Sequence, residues 1–401
     1  MQKVRCAAMR GAVLTAFAAA LTLGAVPAAR AQSGFDIDVV MPLTGGGSFL
    51  GQGEQQALQL VEKVANAGGG IANKQIHFVF HDDQSSPQVA VQLTNEVLAK
   101  HPAVLLGSSI VAMCSAMGPL VQANGPVDYC FSPGIHPDKG SYVFTSSVST
   151  LDLANAVIRY FRLKGWTKIA LMFSTDASGQ DAERGLKSVI DLPQNKDVSV
   201  VTTAHFNPQD VNVSAQIEQV KAAHPQAFIA WSTGAPIATI FRGMLQAGLD
   251  VPTATTDGNM TRAQMKQYEA FLPKQLYFPA AEWVVANDPK FPMEAAVAAR
   301  QKAFYAAFKD AGVQPDIASE LAWDPALILI DALKKLGPDA SAQKIRDYIA
   351  GLKNYAGVNG VYDFEKVPQR GLSVDNAVVT RWNAEAKNWQ VVSKATGVPL
   401  P

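Results

Sequence analysis

Cysteine, histidine and any excess of one charge are scarce in this chain of 401 residues, and each scarcity removes a class of chemistry. There are three cysteines and six histidines. A zinc site needs three or four ligands at convergent spacing, whereas His77, His101, His136, His205 and His224 are scattered. His81-Asp82-Asp83, at the end of an apolar run, is the strongest enzyme-like signal and falls short of such a set. Neither a Gly-x-Ser-x-Gly elbow nor a His-Glu-x-x-His helix occurs, so two common hydrolase signatures are missing. Basic and acidic residues number 34 each, which leaves no electrostatic footprint for nucleic acid. Beyond the N-terminal segment, no apolar run reaches the ~20 residues that cross a bilayer.

What is present begins with an export signal. Lys3, Arg5 and Arg10 precede an apolar stretch over 11–24, and Ala29-Arg30-Ala31 forms an Ala-x-Ala cleavage box. A signal peptide over 1–31 is the expectation, and its run is short for a membrane anchor. Removing its four basic residues leaves 30 basic against 34 acidic, and 370 residues suggest two domains. Cys6 goes with the signal, so Cys114 and Cys130 remain. In an oxidising compartment they form a disulfide or persist as buried free thiols.

The glycine-rich stretch PLTGGGSFLGQG, residues 42–53, stands where a strand hands over to a helix. It has the glycine spacing of a phosphate-binding loop, but Gln52 and Gly53 replace the Lys and Ser/Thr that such a loop needs. A third dinucleotide-type glycine is also missing, because Leu50 occupies its position. Apolar runs at 35–41, 75–81, 103–107 and 127–131 alternate with helical periodicity at 52–66, 87–100 and 112–123. The pattern restarts after 142–146, with strands at 168–173, 198–205, 227–231 and 253–256 and helices between them. Strands buried on both faces and separated by helices predict parallel, doubly wound α/β sheets. The last third holds too few strands for a third unit, so it completes the first two. A bilobed α/β protein with a central cleft follows, its ligand loops at the carboxyl ends of the strands.

The strings VVMPLTGGGSFLGQG, ANAGGGIANKQIHFVFHDDQSSPQVAVQ, YVFTSSVSTLDLANAV, GWTKIALMFSTDASGQD and ATTDGN, in this order, resemble the branched-chain-amino-acid type of periplasmic solute-binding protein. The resemblance implies a type I periplasmic-binding fold: two Rossmann-like lobes joined by three crossovers, near 142–149, 277–283 and 355–360. Residues 32–148 and 281–357 would form the N-terminal lobe, and 149–280 and 358–401 the C-terminal lobe. In this family the acids of the His81-Asp82-Asp83 type close a strand and cap the next helix. The implied role is capture of a small ligand by lobe closure and delivery to the permease of an ABC importer. It carries with it a monomer, no cofactor, no metal, no nucleic acid and no catalysis.

The family's binding positions transfer one by one. Leu50 aligns with a bulky side chain beside the ligand, and Phe49 is next to it. Ile110 and Val111 stand where serines grip a ligand carboxylate, which leaves the N–H groups of Ala112 and Met113 for that task. In Ser132-Pro133-Gly134-Ile135-His136, Gly134 keeps a small position and His136 replaces a threonine, offering an N–H or a charge. Ser178 and Thr233 occupy tyrosine positions, with Gly234 beside the latter. Asp257 matches a carboxylate that pairs with a ligand ammonium, although Thr-Asp-Gly is also a turn signature. Trp283 lines the cleft or packs in the hinge.

Small residues at tyrosine positions, an apolar pair and a new histidine tilt the expected ligand toward an aromatic carboxylate, with an amino acid or amide next. A disulfide between Cys114 and Cys130 would staple two ligand loops, as one starts a helix and the other ends the adjacent strand. A soluble sensor that hands its ligand to a signalling partner is the alternative role.

Overall fold

The computed structural model describes residues 34–286 and 288–401, so the expected signal peptide lies outside the described residues. A first sheet is built from β1 (Phe35–Met41), α1 (Ser48–Ala67), β2 (Ile76–Asp82), α2 (Pro87–Leu98), β3 (Val104–Gly107), α3 (Val111–Val121), β4 (Val127–Cys130) and β5 (Val143–Thr145). Its order is β2-β1-β3-β4-β5, parallel throughout. Short apolar strands such as Val104-Leu105-Leu106-Gly107, buried along their whole length, require cover on both faces, and the intervening helices supply it.

The second unit runs α4 (Thr150–Leu163), β6 (Lys168–Ser174), α5 (Ala177–Ile190), β7 (Ser199–Phe206), α6 (Ser214–Ala222), β8 (Ala227–Trp231), α7 (Ile237–Ala247), β9 (Thr253–Ala254), α8 (Arg262–Gln267) and β10 (Leu276–Ala281). Helices α9 (Ala295–Asp310), α10 (Ile317–Leu336) and α11 (Ala342–Ala350) return to the first unit, where α10 packs along α1. A hairpin, β11 (Tyr355–Gly357) and β12 (Gly360–Tyr362), precedes β13 (Ala377–Asn383) and β14 (Asn388–Val391). The second sheet has the order β14-β13-β10-β9-β8-β6-β7, with β13 and β14 antiparallel to their neighbours. The fold is two-lobed α/β with parallel sheets, as the sequence predicts.

Local chemistry sets the helix starts. Ser149, Asp176 and Ser341 accept first-turn amides of α4, α5 and α11, and Asp316 with Ser319 forms a capping box on α10. The expected start of α1 at residue 52 is moved to Ser48. Gly51 and Gly53 lie inside this helix at positions where only glycine fits, since a Cβ would meet the Pro42 carbonyl oxygen and the Ala318 Cβ. Both glycines serve close packing, and neither belongs to a ligand wall.

The third crossing also differs from the expected 355–360. That stretch is the β11–β12 hairpin, and the chain stays against the first lobe through Arg370. The Arg370 guanidinium is buried and donates to the carbonyls of Pro133, Ile135, Ser146 and Ser147 at 2.7–3.2 Å. It thereby ties the first crossing to the third. Gln301 donates to the Glu282 and Val358 carbonyls at 2.9 and 2.8 Å, tying the second crossing to the hairpin.

Candidate functional site

In each sheet the strand order reverses beside the first strand of the unit, and the loops leaving those strands face one another. Between β1 and β3 lie the glycine loop and the Ser108–Ile110 turn, and between β6 and β8 lie the segments that lead into α5 and α7. A crevice at such a switch point is the usual ligand position in open α/β sheets. The two lobes meet across it. The Ala235 amide donates to the Gly46 carbonyl at 3.1 Å, and a Cβ on Gly234 would meet that same oxygen at 2.5 Å. The remaining cavity is about 20 Å³, room for about one water.

Asp82 pins the glycine loop by accepting the amides of Leu43 and Thr44 and the Thr44 hydroxyl at 2.7–3.1 Å. Asp83 accepts Ser108 Oγ at 2.5 Å and the Ser85 amide at 2.8 Å. His81 Nε2 lies 2.7 Å from Asp38 Oδ1, which also takes Lys100. The acids thus shape the loops of the cleft. Among the described residues, no group of three or more His, Cys, Asp or Glu could hold a metal ion.

Among the residues singled out from sequence, Leu50, Ile110, Val111, Gly134, Ser178, Thr233 and Asp257 come together on the cavity. Gly134 must be small, since a Cβ would meet Val111 Cγ2 at 2.5 Å. Ser178 and Thr233 share a hydrogen bond of 2.8 Å between their hydroxyls. Asp257 Oδ1 takes the Thr256 hydroxyl at 2.8 Å and the Gly258 amide at 2.9 Å, while Oδ2 is buried with no partner among the described residues. Burial pushes the Asp257 carboxyl up to about 6, against the hydroxyl and amide that favour its charge.

The remaining expectations divide. Phe49 is turned away from the cavity and packs on Tyr268. The Met113 amide donates to the Ile110 carbonyl at 3.0 Å, which takes it out of the expected contact, and its side chain is buried with Val40 and Met117. His136 reaches Asp181 of α5, with Nε2 2.9 Å from Oδ1, and does not line the cavity. Trp283 is buried in the hinge core, where its carbonyl accepts the Tyr305 hydroxyl at 2.9 Å. The expected disulfide between Cys114 and Cys130 is present, with Cα atoms 6.1 Å apart.

Several lining residues escape the sequence reading: Ser109, Ser132, Thr150, Trp231, Thr256 and Leu321. Ser132 and Thr150 begin or flank loops already singled out, and Trp231 ends a strand, which is the positional signal that could have found it. Leu321 sits in mid-helix and carries no such signal. Ser109 is held by Glu54, a fully buried acid. Burial, with the charges of Asp83 and Asp316, pushes Glu54 up to about 8 although the Ser109 hydroxyl opposes the shift. The Ser132 and Thr150 hydroxyls have no hydrogen-bond partner among the described residues. The first turn of α3 presents the Val111 and Ala112 amides toward the same side, before any intrahelical acceptor is available. The first lobe therefore contributes the α3 amides and Ser132, and the second lobe contributes the Asp257 carboxylate beside the Thr150, Ser178 and Thr233 hydroxyls.

Residues 36–387 match the periplasmic binding protein family, and the chain belongs to it. No curated protein sequence matches the chain. Among solved structures it is similar to a type 1 periplasmic binding protein from Bordetella pertussis Tohama I (22% identity, TM-score 0.77, 90% of this chain and 99% of that one). It is also similar to the branched-chain amino acid transporter substrate binding protein LivJ of Streptococcus pneumoniae, in complex with isoleucine (19%, TM-score 0.75, 90% and 99%). A third is an ABC transporter solute binding protein of Rhodopseudomonas palustris, in complex with benzoate (18%, TM-score 0.76, 92% and 98%). These likenesses speak for the fold.

Proposed function

We propose that the chain is the extracytoplasmic binding component of an ABC importer that captures a small organic acid bearing an N–H donor, an amino acid or a short amide. The observation that carries this reading is the buried, unpartnered Oδ2 of Asp257 opposite the α3 N-terminus. An ammonium or amide N–H satisfies the first, and a carboxylate suits the second. The aromatic carboxylate favoured from sequence rested on His136 as its donor and on a roomy pocket. His136 is engaged with Asp181, and Trp231 and Leu321 narrow the cavity. The benzoate-bound neighbour keeps that class worth testing.

Capture proceeds by closure. A ligand larger than one water enters with the lobes apart, and its contacts with both lobes favour the closed state by its differential affinity. Delivery to a permease, periplasmic location after cleavage behind Ala31 and a monomeric state belong to the same reading. The test is thermal unfolding against a panel of amino acids, amides and aryl carboxylates. A ligand at 100 times its dissociation constant adds about 2.7 kcal/mol to stability. Stabilisation confined to ligands with an N–H donor is expected. Stabilisation by aryl carboxylates alone would replace the ligand class.

A further inference from the structure

A second concave site lies in the second lobe, sharing no residue with the inter-lobe cavity. It is a groove of about 660 Å³ between α8 with its following turn and the β13–β14 hairpin. That volume falls within the range of small-molecule pockets, about 300–1,000 Å³. Five cations line it, Arg262, Lys266, Lys274, Arg381 and Lys387, against a single acid, Glu269. Glu269 is 3.5 Å from Lys387, and Lys274 is paired with Asp250 at 2.7 Å. Arg262 is fixed by the Pro315 and Lys387 carbonyls at 3.3 and 3.0 Å and lies over the Trp389 ring at 5.2 Å. Arg381 has a single hydrogen bond, to the Lys274 carbonyl at 3.4 Å, and Lys266 has no acidic partner among the described residues.

The groove also has an apolar floor. Met265, Leu272, Pro273 and Trp382 line it, and Trp382 is packed on Trp389 with ring centroids 5.0 Å apart. Cations and an indole lining one groove suit a flat apolar body that carries an acid group, since guanidinium binds carboxylate or phosphate in two-point fashion and the ring offers a stacking face. We infer that this groove is a second binding site, taking a small aromatic anion. Size argues for a small molecule, and charge for an acid.

Calorimetric titration with 2-naphthoate and, separately, 2-naphthyl phosphate tests this on the intact protein at low salt. One-to-one binding of either probe is expected, weakening as salt rises. The K266E/R381E variant, altered at two exposed side chains, should bind at least about tenfold more weakly, equivalent to 1.4 kcal/mol, with an unchanged melting profile. Trp382→Leu should weaken binding as well, without altering its salt dependence. The two probes distinguish carboxylate from phosphate as the preferred acid. Absence of binding by both probes overturns the inference. Equal affinity in wild type and K266E/R381E, as entry into the inter-lobe cleft would give, also overturns it.

Discussion

Phe49 of the first lobe meets Tyr268 of the second edge-on, with ring centroids 5.9 Å apart and planes inclined by 76°. Tyr268 is itself buried and stacked on Phe271, so the pair forms a firm contact across the mouth of the cleft. Such a contact acts on closure and has no need to touch the ligand. An aromatic pair of this geometry contributes about 0.5–1.5 kcal/mol beyond its area. Phe49→Ala should therefore weaken ligand binding roughly two- to tenfold by favouring the open form. Calorimetry together with small-angle scattering of the ligand-bound protein checks both halves of that expectation.

Asp257 links stability to pH. Its carboxyl is raised from the ordinary 3.8 to about 6 by burial, so the folded state holds a proton that the unfolded chain has lost between those values. The contribution is fully present below about 3.8 and is lost as pH rises through about 6. Asp257→Asn should remove this dependence and stabilise the ligand-free protein at pH 7 by up to about 3 kcal/mol. Denaturant melts at pH 4 and pH 7 on both proteins measure it.

The same titration acts on binding with the opposite sign. An ammonium ligand needs the ionised carboxylate, so affinity should be level above about pH 6 and fall toward tenfold per unit below it. A calorimetric pH series with an amino-acid ligand is the check. A pH-independent affinity would remove Asp257 from the contact.

His136 and Asp181 form a further inter-lobe contact at the rim, the imidazole being 51% exposed and the carboxylate buried. A single hydrogen bond of this kind contributes about 0.5–1.5 kcal/mol net. His136→Ala should then cost at most about tenfold in affinity. A loss well above tenfold would mean that the imidazole grips the ligand itself.

The disulfide closes a loop of sequence separation 16 between the start of α3 and the end of β4. Loops of this length give about 3 kcal/mol in the chain-entropy description. Replacing Cys114 and Cys130 together by alanine should lower the denaturant midpoint accordingly. It should also weaken binding, because α3 and the Ser132–Gly134 loop both line the cleft.

Much of the architecture was legible in the sequence because parallel strands buried on both faces are continuous apolar runs, and Val104–Gly107 or Ala227–Trp231 can hardly be anything else. The glycine stretch was harder. Gly51 and Gly53 carry the composition of a loop, yet their role depends on Pro42 and Ala318, the latter distant in sequence. Gly360 looked like a lobe crossing, whereas Arg370 keeps the chain on the first lobe by four carbonyl contacts that no local pattern signals. At the site, backbone position was legible and side-chain direction was not. Phe49 and Leu50 are adjacent on α1, so a turn of about 100° separates them and only Leu50 faces the cavity. His136 fell in a ligand loop by alignment, but a partner on the other lobe, Asp181, draws it to the rim.

The proposed role of Asp257 is to receive the N–H donor of a small acid held between the lobes. Calorimetric titration of wild-type protein and Asp257→Ala, each with an α-amino acid, its amide and an aryl carboxylate, addresses it directly. One-to-one binding of an N–H-bearing ligand by the wild type is expected, with a loss of about a hundredfold or more in the variant, equivalent to about 2.7 kcal/mol. An aryl carboxylate bound equally well by both proteins, with no binding of the amino acid or amide, would contradict it.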